Sequence, residues 1–327
     1  MSRAVPSVFV EAPARLHFGV LDLRGDLGRR FGGIGAAVPA PSLLLEARPS
    51  PILTVDGPPA DVERALEFGR RFLKHHNLAG GAEICLHRTI PAHAGLGSGT
   101  QLAIAVARAL AEQHGLSTEV AGLARAVGRG RRSAIGTWLF AFGGFVLEGG
   151  RRPDGTEVAP LLARLPMPGA WRCVIVVPEG EPGLAGDQEA TAFARLPAPD
   201  AHAVERVAHL VLMKLLPALA EADLAEFGAA LSEVQRITGG WFAEAQGGVF
   251  APGLSAELVG RLREWGAAGV GQSSWGPAVY GLSADATTAG ILAERARGIV
   301  GPGGAVYEGP FSSEGARIGR GAPPHPP

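Results

Sequence analysis

The glycine-rich segment PAHAGLGSGTQLAIAVARAL, residues 91–110, constrains the fold of this 327-residue chain more than any other stretch. Glycines alternate there with small or hydroxyl-bearing residues at Gly95, Leu96, Gly97, Ser98, Gly99 and Thr100. Glycine permits a left-handed backbone and lets amides approach an anion closely, and a helix N-terminus attracts negative charge. The segment therefore predicts a phosphate-binding loop at the start of a helix. The alternative is an ordinary turn in which Ser98 caps the helix.

Apolar periodicity predicts an α+β protein with two lobes. Alternating residues predict strands at 7–12, 15–23, 42–48 and 82–90, and in the runs WLFAFGGFVLEGG, VAPLLARLP, WRCVIVVP, AVYGL and GAVYEGP. Helical spacing predicts helices at 60–77, 98–114, 118–128, 200–216, 220–238, 255–267 and 285–297. Near PMPG the pattern changes from strand-like runs to long helical spacing. This change divides the chain into an N-terminal domain (1–165) and a C-terminal domain (166–311). The proline-rich residues 312–327 are predicted to be a disordered tail.

Composition narrows the classes of function. Apolar residues make up 46% and charged residues 19%, with a formal net charge of −1. This balance gives no general attraction to nucleic acid or to an anionic membrane. The N-terminus lacks the apolar core of a signal peptide, and no run reaches membrane-spanning length. We therefore expect a cytoplasmic protein that acts on small molecules.

The loop PAHAGLGSGT resembles the Pro-x-x-x-Gly-Leu-Gly-Ser-Ser/Gly motif of the GHMP superfamily, which includes galactokinase, homoserine kinase and mevalonate kinase. Two further segments, EAPARLHFGVLDLRG (11–25) and GAAGVGQSSWGPAVYGL (266–282), stand where that superfamily has its opening and closing motifs. The resemblance implies a GHMP-kinase-like fold. Its N-terminal lobe would be like domain 2 of ribosomal protein S5, and its C-terminal lobe ferredoxin-like.

The segment GRGRRSAIGTWLFAFGGFVLEGG (128–150) departs from the kinases of that superfamily. Those kinases usually carry a catalytic aspartate there, whereas this chain has no acidic residue before Glu148 and instead has Arg129, Arg131 and Arg132. An arginine keeps its proton at any working pH and cannot act as a general base. Three arginines suit a highly anionic ligand such as a diphosphate. The alternative is a solvated basic turn.

The run ARLHFGVLDLRGDLGRRFGGIGAAV, together with GRGRRSAIG, FGGFVLEGG and GQSSWGPAVYG, is similar to the family of β-ribofuranosylaminobenzene 5′-phosphate synthases over about residues 8–310. The resemblance implies a pentosyltransferase of methanopterin biosynthesis that condenses phosphoribosyl pyrophosphate with 4-aminobenzoate or 4-hydroxybenzoate. Carbon dioxide and pyrophosphate would be released and a C-riboside 5′-phosphate formed. It further implies Mg²⁺, no need for ATP, and a homodimer.

Strand 15–23 carries the catalytic candidates Arg15, His17 and Asp22. Arg15 and His17 share one face of a strand, and Asp22 lies on the other unless a turn intervenes. His17 would polarise or deprotonate the 4-substituent of the benzoate; the alternative is a hydrogen-bonded structural histidine. Asp22 or Asp26 would hold Mg²⁺ through water, or else cap the end of a loop.

The remaining candidates are substrate-binding residues: Arg29, Arg30, Ser133, Gln272, Ser273 and Ser274. Arg29 and Arg30 would bind the benzoate carboxylate or a phosphate, or form a solvated pair. The Gln-Ser-Ser run, with Trp275, would line a pocket for the aromatic acid, or form a structural turn. Two other functions stay open at this point: a small-molecule kinase with a relocated base, and a sensor that binds a nucleotide or sugar phosphate without turnover.

Overall fold

The protein is described here by a computed structural model that covers residues 7–180, 183–184, 186–321 and 323. Its strands are β1 Val8–Asp22, β2 Phe31–Ser50, β3 Thr54–Asp56, β4 Gly81–Arg88, β5 Phe145–Glu148, β6 Leu161–Leu165, β7 Arg172–Val177, β8 Val270–Gln272, β9 Val279–Ser283, β10 Ala305–Pro310 and β11 Arg317–Arg320. Its helices are α1 Pro59–His75, α2 Ser98–Gln113, α3 Val120–Ala126, α4 Ile135–Phe142, α5 Gly186–Arg195, α6 Ala201–Leu210, α7 Leu216–Ala220, α8 Leu224–Gln246, α9 Leu254–Glu264 and α10 Ala286–Val300.

The first sheet is built around a long antiparallel pair, β1 and β2. Its order is β11-β1-β2-β4-β3, and β5 pairs with the start of β2 and carries β6 on its other side. The two strands predicted at 7–12 and 15–23 are one strand. The segment FGGIG, for which no strand was predicted, begins β2. Small residues there leave room for the side chains of the facing strand, so alternation was a weak signal.

The strand predicted for the first half of WLFAFGGFVLEGG is wrong, because these residues belong to helix α4. Trp138 and Phe142, four residues apart, stack on one helix face, while Ile135 and Leu139 pack with the sheet residues Ala37 and Val146. A short, wholly apolar run fits a helix or a strand equally well in the sequence. Only packing against β1, β2 and β5 decides it.

The second sheet is antiparallel with the order β10-β7-β9-β8. Relative to chain order this is 4-1-3-2, the arrangement of a ferredoxin-like fold. Helices α9 and α10 cover this sheet, and α8 packs on both β8 and β1. The helices predicted at 200–216 and 220–238 begin and end at other residues in the structure, where α6, α7 and α8 cover this region. A π-helical turn at Val211–Leu215 follows α6 and leads into α7 ahead of Pro217. A wider turn accommodates the proline, which lacks an N–H.

The prediction of a disordered tail from Ser312 is wrong for residues 312–321. Strand β11 pairs with the N-terminal half of β1, with Val8 opposite Arg320. The Ser312 N–H donates to Ala37 O (2.9 Å), and the Ala316 N–H donates to Phe140 O (2.6 Å). Backbone pairing of this kind does not depend on apolar side chains, so the polar sequence concealed it. Residues 322 and 324–327 lie outside the described part.

One apolar core joins the two sheets. Phe18 of β1 contacts Phe145 and Tyr280, with ring centroids 6.4 and 5.1 Å away, and Phe145 in turn contacts Phe227 of α8. A second cluster lies between β7, β9, α9 and α10. The opening strand, the glycine-rich loop and the turn after β8 therefore meet where the two halves of the chain are packed together. No helix in the described residues is long and apolar enough to span a bilayer.

Candidate functional site

The glycine-rich loop adopts the conformation that its glycines predict. Gly95 and Gly97 have φ values of 78° and 79°, and Gly97 is the N-cap of α2. No side-chain hydrogen bond caps this helix in the described residues, so the alternative role of Ser98 as a cap is not seen. The N-terminus of α2 thus points its positive dipole end at the loop, where it can stabilise an anion.

Arg15 joins the loop to the opening strand and to the turn after β8. Its Nη1 donates to Gly95 O (2.6 Å) and to Ser273 Oγ (3.3 Å). A side chain at Gly97 would come within 2.6 Å of Arg15 Cγ, and one at Gly95 would collide with Ser273 O, so both positions require glycine. Burial lowers the pKa of Arg15 to about 10, with the charge of Glu189 acting in the opposite direction. The guanidinium stays charged at neutral pH.

His17 is buried beside Arg15, with 7% of its surface exposed. Register shifts between His17 and Gly19 place an irregularity in β1 at this point, and such bulges redirect side chains near sites. The His17 N–H donates to Ser273 Oγ (2.9 Å), and the ring atom Nε2 lies 3.4 Å from Ser133 Oγ. Burial, together with the charge of Arg15, lowers the pKa of His17 to about 3. The imidazole is therefore neutral near pH 7.

Glu148, at the end of β5, is fully buried behind Ser133. Its carboxylate accepts from the Ala134 N–H (3.2 Å) and the Gly150 N–H (3.3 Å). Burial raises the pKa of Glu148 to about 7, and hydrogen bonds from Ala134, Gly150 and the Ser133 hydroxyl oppose that rise. Ser133 thus lies between His17 and the one carboxyl group of segment 128–150.

Arg129 lies at the N-terminus of α2 with a partner from α1. A Cβ on Gly99 would lie 2.9 Å from Arg64 Nη2 and 3.0 Å from Arg129 Nη2. Arg64 pairs with Asp61 (2.9 Å), but Arg129 makes no ion pair in the described part of the chain, and its buried Nε has no hydrogen-bond partner there. Burial, and then the charges of Arg64 and Arg71, lower the pKa of Arg129 to about 10.

Arg131 and Arg132 do not join that cluster. Arg131 is exposed, and its carbonyl accepts a hydrogen bond from Arg151. Arg132 forms an ion pair with Glu189 of α5 and lies over the Phe193 ring, 5.2 Å from its centroid. The three arginines predicted as one group therefore go to three different places.

The turn after β1 engages its predicted residues in local contacts. Asp22 Oδ1 accepts from the Arg24 N–H (2.6 Å) and the Gly25 N–H (2.9 Å), as expected for a loop cap. Asp26 pairs with Arg24 (2.6 Å). Arg29 Nη1 donates to Gly150 O (3.0 Å), and Arg30 Nε donates to Leu23 O (2.7 Å).

The Gln-Ser-Ser run connects the two halves of the molecule. Ser273 Oγ donates to Gly95 O (2.7 Å) and is fully buried. Gln272 is also buried; its Oε1 accepts from the Ala251 N–H (2.7 Å), and its Nε2 donates to Ser274 O (3.0 Å). Both side chains serve the structural turn that was the alternative to a ligand pocket. Ser274 is exposed, with a φ of 58°.

The described residues contain no group of three or more His, Cys, Asp or Glu side chains placed to hold a metal ion. The site is rich in cations instead: Arg15, Arg64 and Arg129 approach the loop, and Arg132 lies alongside. Guanidinium groups and backbone dipoles in this arrangement suit a polyanionic ligand.

Sequence reasoning did not find Arg64 on α1 or the α5 residues Glu189 and Phe193. Arg64 looks like a partner for Asp61 three positions earlier, as on many helix surfaces. Glu189 and Phe193 lie in a segment with no motif. Only tertiary packing brings them to the loop.

The chain is similar to known proteins over most of its length. Residues 62–144 match the family model for the GHMP kinases N terminal domain, and residues 215–300 match the one for GHMP kinases C terminal. The beta-ribofuranosylphenol 5'-phosphate synthase of Methanothermobacter thermautotrophicus is 34% identical over 93% of this chain and 97% of its own. The enzyme of the same name from Archaeoglobus fulgidus is 35% identical over 86% of this chain and 89% of its own.

Solved structures show the same fold. L. major mevalonate kinase superposes with a TM-score of 0.69 at 17% identity, over 96% of this chain and all (100%) of that one. Homoserine kinase from Cytophaga hutchinsonii gives a TM-score of 0.67 at 19% identity, over 95% of this chain and 97% of its own. The two-lobe GHMP kinase fold predicted from the sequence is confirmed.

Proposed function

The chain belongs to the family of the beta-ribofuranosylphenol 5'-phosphate synthases, and from this premise we propose that it condenses phosphoribosyl pyrophosphate with 4-hydroxybenzoate or 4-aminobenzoate. The enzyme is a pentosyltransferase with a GHMP kinase fold. One observation in the site carries the proposal: Arg129 and Arg64 meet the N-terminus of α2, and Glu148, the only acidic residue in 128–150, is buried behind Ser133. The loop is suited to hold a diphosphate, and segment 128–150 places no exposed carboxylate beside it.

The reaction balances without ATP or any other reagent. The bond from ribose C1 to the pyrophosphate oxygen breaks, and the pyrophosphate takes the electron pair. The ring carbon that bears the carboxylate forms the new carbon–carbon bond to C1. The bond to the carboxylate carbon then breaks, its electron pair returns to the ring, and carbon dioxide leaves. Guanidinium groups and the α2 dipole would stabilise the charge that develops on the departing diphosphate.

The relatives' name favours 4-hydroxybenzoate over 4-aminobenzoate as the acceptor. A ribofuranosylphenol carries a hydroxyl on its aromatic ring, so an acceptor that leads to it carries that hydroxyl as well. We infer a preference for 4-hydroxybenzoate here, and the two acids are compared in the assay below.

The state of His17 supports hydrogen bonding rather than full proton removal from the acceptor. The overall reaction leaves the 4-hydroxyl proton in place, so a catalyst needs only to attract that proton, which raises the electron density on the oxygen and the ring as the ring attacks. A buried neutral imidazole, whose pKa is about 3, is a poor proton acceptor but a competent hydrogen-bond acceptor. We therefore assign His17 to polarise the hydroxyl and Arg15 to hold the loop and the diphosphate.

The residues present do not form a protein-held site for Mg²⁺, since Asp22 serves its own turn and the described chain shows no ligand cluster. We propose that Mg²⁺ enters as the complex of the diphosphate substrate, because this ion is commonly held through substrate phosphates and water. Use of no ATP, a homodimeric assembly and a place in methanopterin biosynthesis rest on the family resemblance.

Replacing Arg129 with methionine is expected to raise the dissociation constant for inorganic pyrophosphate by at least about tenfold, as for the loss of one charged hydrogen bond. The variant should be as thermally stable as the wild type or more so, because burial, and then the charges of Arg64 and Arg71, disfavour the cation here. Titration calorimetry and thermal unfolding measure the two effects. The exposed Arg125 on α3, changed to methionine, is the control. Unchanged pyrophosphate affinity would remove Arg129 from the site.

The proposed function is tested by release of labelled carbon dioxide. Purified protein is incubated with phosphoribosyl pyrophosphate, Mg²⁺ or EDTA, and carboxyl-labelled 4-hydroxybenzoate or 4-aminobenzoate, and pyrophosphate is measured in the same samples. We expect carbon dioxide and pyrophosphate to be released in equal amounts. Release should be greater with 4-hydroxybenzoate than with 4-aminobenzoate, and EDTA should abolish it with either acid. Absence of carbon dioxide with either acid, together with ATP-dependent phosphorylation of a small alcohol, would show a kinase instead. Ligand binding without any turnover would show a sensor.

A further inference from the structure

Helix α5 presents a carboxylate and an aromatic ring to a single arginine. Glu189 and Phe193 are four residues apart and so lie on one face of the helix. Both contact Arg132: Glu189 by an ion pair and Phe193 by its ring face, 5.2 Å from the guanidinium carbon. The side chains of Arg132 and Glu189 keep 33% and 23% of their surface exposed, so the pair lies at the rim of the site.

Three further aromatic rings surround Phe193. Its ring centroid lies 5.7 Å from Phe31, 5.7 Å from Phe242 and 5.6 Å from Trp275, each nearly perpendicular to it. These three come from the start of β2, from α8 and from the turn after β8, so the enclosure, which we call the aromatic box, forms only in the folded chain. Phe31 has a φ of 74°, a costly backbone conformation for an aromatic residue and one often kept at binding sites.

The aromatic box adjoins the phosphate loop. Trp275 follows Ser273, which bonds to Gly95 O, and Arg132 precedes Ser133, which contacts His17. Gly183, shortly before α5, is held at the same place, because its N–H donates to His93 O (2.9 Å). A ligand in the box would therefore lie beside the residues assigned to the donor and to the acceptor hydroxyl.

The groups that Glu189 and Phe193 offer to Arg132 are those of an aromatic carboxylic acid. A planar guanidinium binds a carboxylate through paired hydrogen bonds and stacks on an aromatic ring. Perpendicular rings give an inserted ring the contacts that aromatic pairs prefer. The charge of Glu189 also raises the pKa of Arg15 and of Arg129, so its carboxylate lies within electrostatic range of both guanidinium groups.

We propose that Arg132 and the aromatic box form the subsite for the aromatic acid, and that Glu189 and Phe193 of α5 stand in for this ligand and must move away when it binds. The assignment rests on the proposed function, since that function supplies an aromatic carboxylate as the acceptor. The proposal also gives α5 a role, because the helix competes with the acceptor for the subsite at Arg132.

The test measures equilibrium binding of benzoate, which lacks the 4-substituent, so that the result does not depend on turnover. Phe193→Ala should tighten benzoate binding by about tenfold if α5 occupies the subsite in most molecules, with pyrophosphate affinity unchanged. Arg132→Met should weaken benzoate at least tenfold but change binding of uncharged phenol little. Thr191→Ala, on the exposed side of α5, is the control and should match the wild type.

Two outcomes would overturn this inference. Unchanged or weaker benzoate binding in Phe193→Ala would make Phe193 a permanent part of the core. If Glu189→Gln tightened pyrophosphate alone while neither α5 variant affected benzoate, Glu189 would occupy the place of the diphosphate. These results are separate from the proposed function, which fails only if the wild-type protein releases no carbon dioxide.

Discussion

Replacing Arg15 with glutamine is expected to lower kcat/KM for phosphoribosyl pyrophosphate by about 10²–10³-fold, comparable to the loss of one preorganised donor to a developing anion. The guanidinium holds Gly95 O and Ser273 Oγ together, and its charge lies beside the loop. Glutamine keeps a hydrogen-bond donor but loses the cation. Steady-state kinetics with each substrate varied in turn measure the effect, and the exposed Arg263 changed to glutamine is the control.

A second measurement separates the charge of Arg15 from its structural role. That charge contributes to the low pKa of His17, after burial. Arg15→Gln should therefore raise the His17 pKa, though burial will keep it below the ordinary value of 6.5. Histidine NMR titration reports this shift. A large kinetic loss with an unmoved His17 pKa and a lowered melting temperature would contradict the electrostatic account and indicate a disordered loop.

Replacing Glu148 with glutamine is expected to remove a pH dependence from the stability of the fold. Burial raises the Glu148 pKa from 4.5 to about 7, so between these values the folded state keeps a proton that the unfolded state has lost. Stability is therefore lost as pH rises through this window, by about 3 kcal/mol at 1.36 kcal/mol per pKa unit. Glutamine does not titrate, so the variant lacks this loss.

The measurement is urea unfolding of both proteins at several pH values from 4.5 to 8. The free energy of unfolding of the wild type, taken relative to Glu148→Gln, should fall across the window and level off above it. The absolute stability of the variant is less informative, because its amide group meets the Ala134 or the Gly150 N–H with a second donor. Parallel pH profiles would show that Glu148 ionises as an ordinary carboxyl group.

Local sequence was sufficient to predict the conformation of the glycine-rich loop. Alternating glycines and a following helical pattern describe a short, contiguous structure, and the positive φ values at Gly95 and Gly97 are what that pattern predicts. Where secondary structure depended on distant partners, local pattern failed. The apolar run at 138–142 became helix α4, and the polar residues 317–320 became strand β11 on the edge of the first sheet.

The arginines after α3 show that local sequence was also insufficient to place side chains within the site. The sequence indicated a basic group at Arg129, Arg131 and Arg132, with no acidic residue beside it in the chain before Glu148. It did not indicate that these side chains diverge, with Arg129 toward Arg64 and Arg132 toward Glu189. A turn directs neighbouring side chains apart, and no local pattern tells which helix each will meet.

The sequence by itself determined the glycine-rich loop at the start of α2, the two-lobe fold and the absence of a kinase-like aspartate between 128 and 147. The loop and the missing aspartate are local features of the chain, and the two-lobe fold follows from apolar periodicity and from the resemblance to a known family. The tertiary structure alone decided that His17 is neutral, that Glu148 titrates near neutral pH, and that α5 places a carboxylate and a ring on Arg132. Burial, mutual charge and contact between distant segments arise only when the chain packs, and these quantities govern the chemistry of the site.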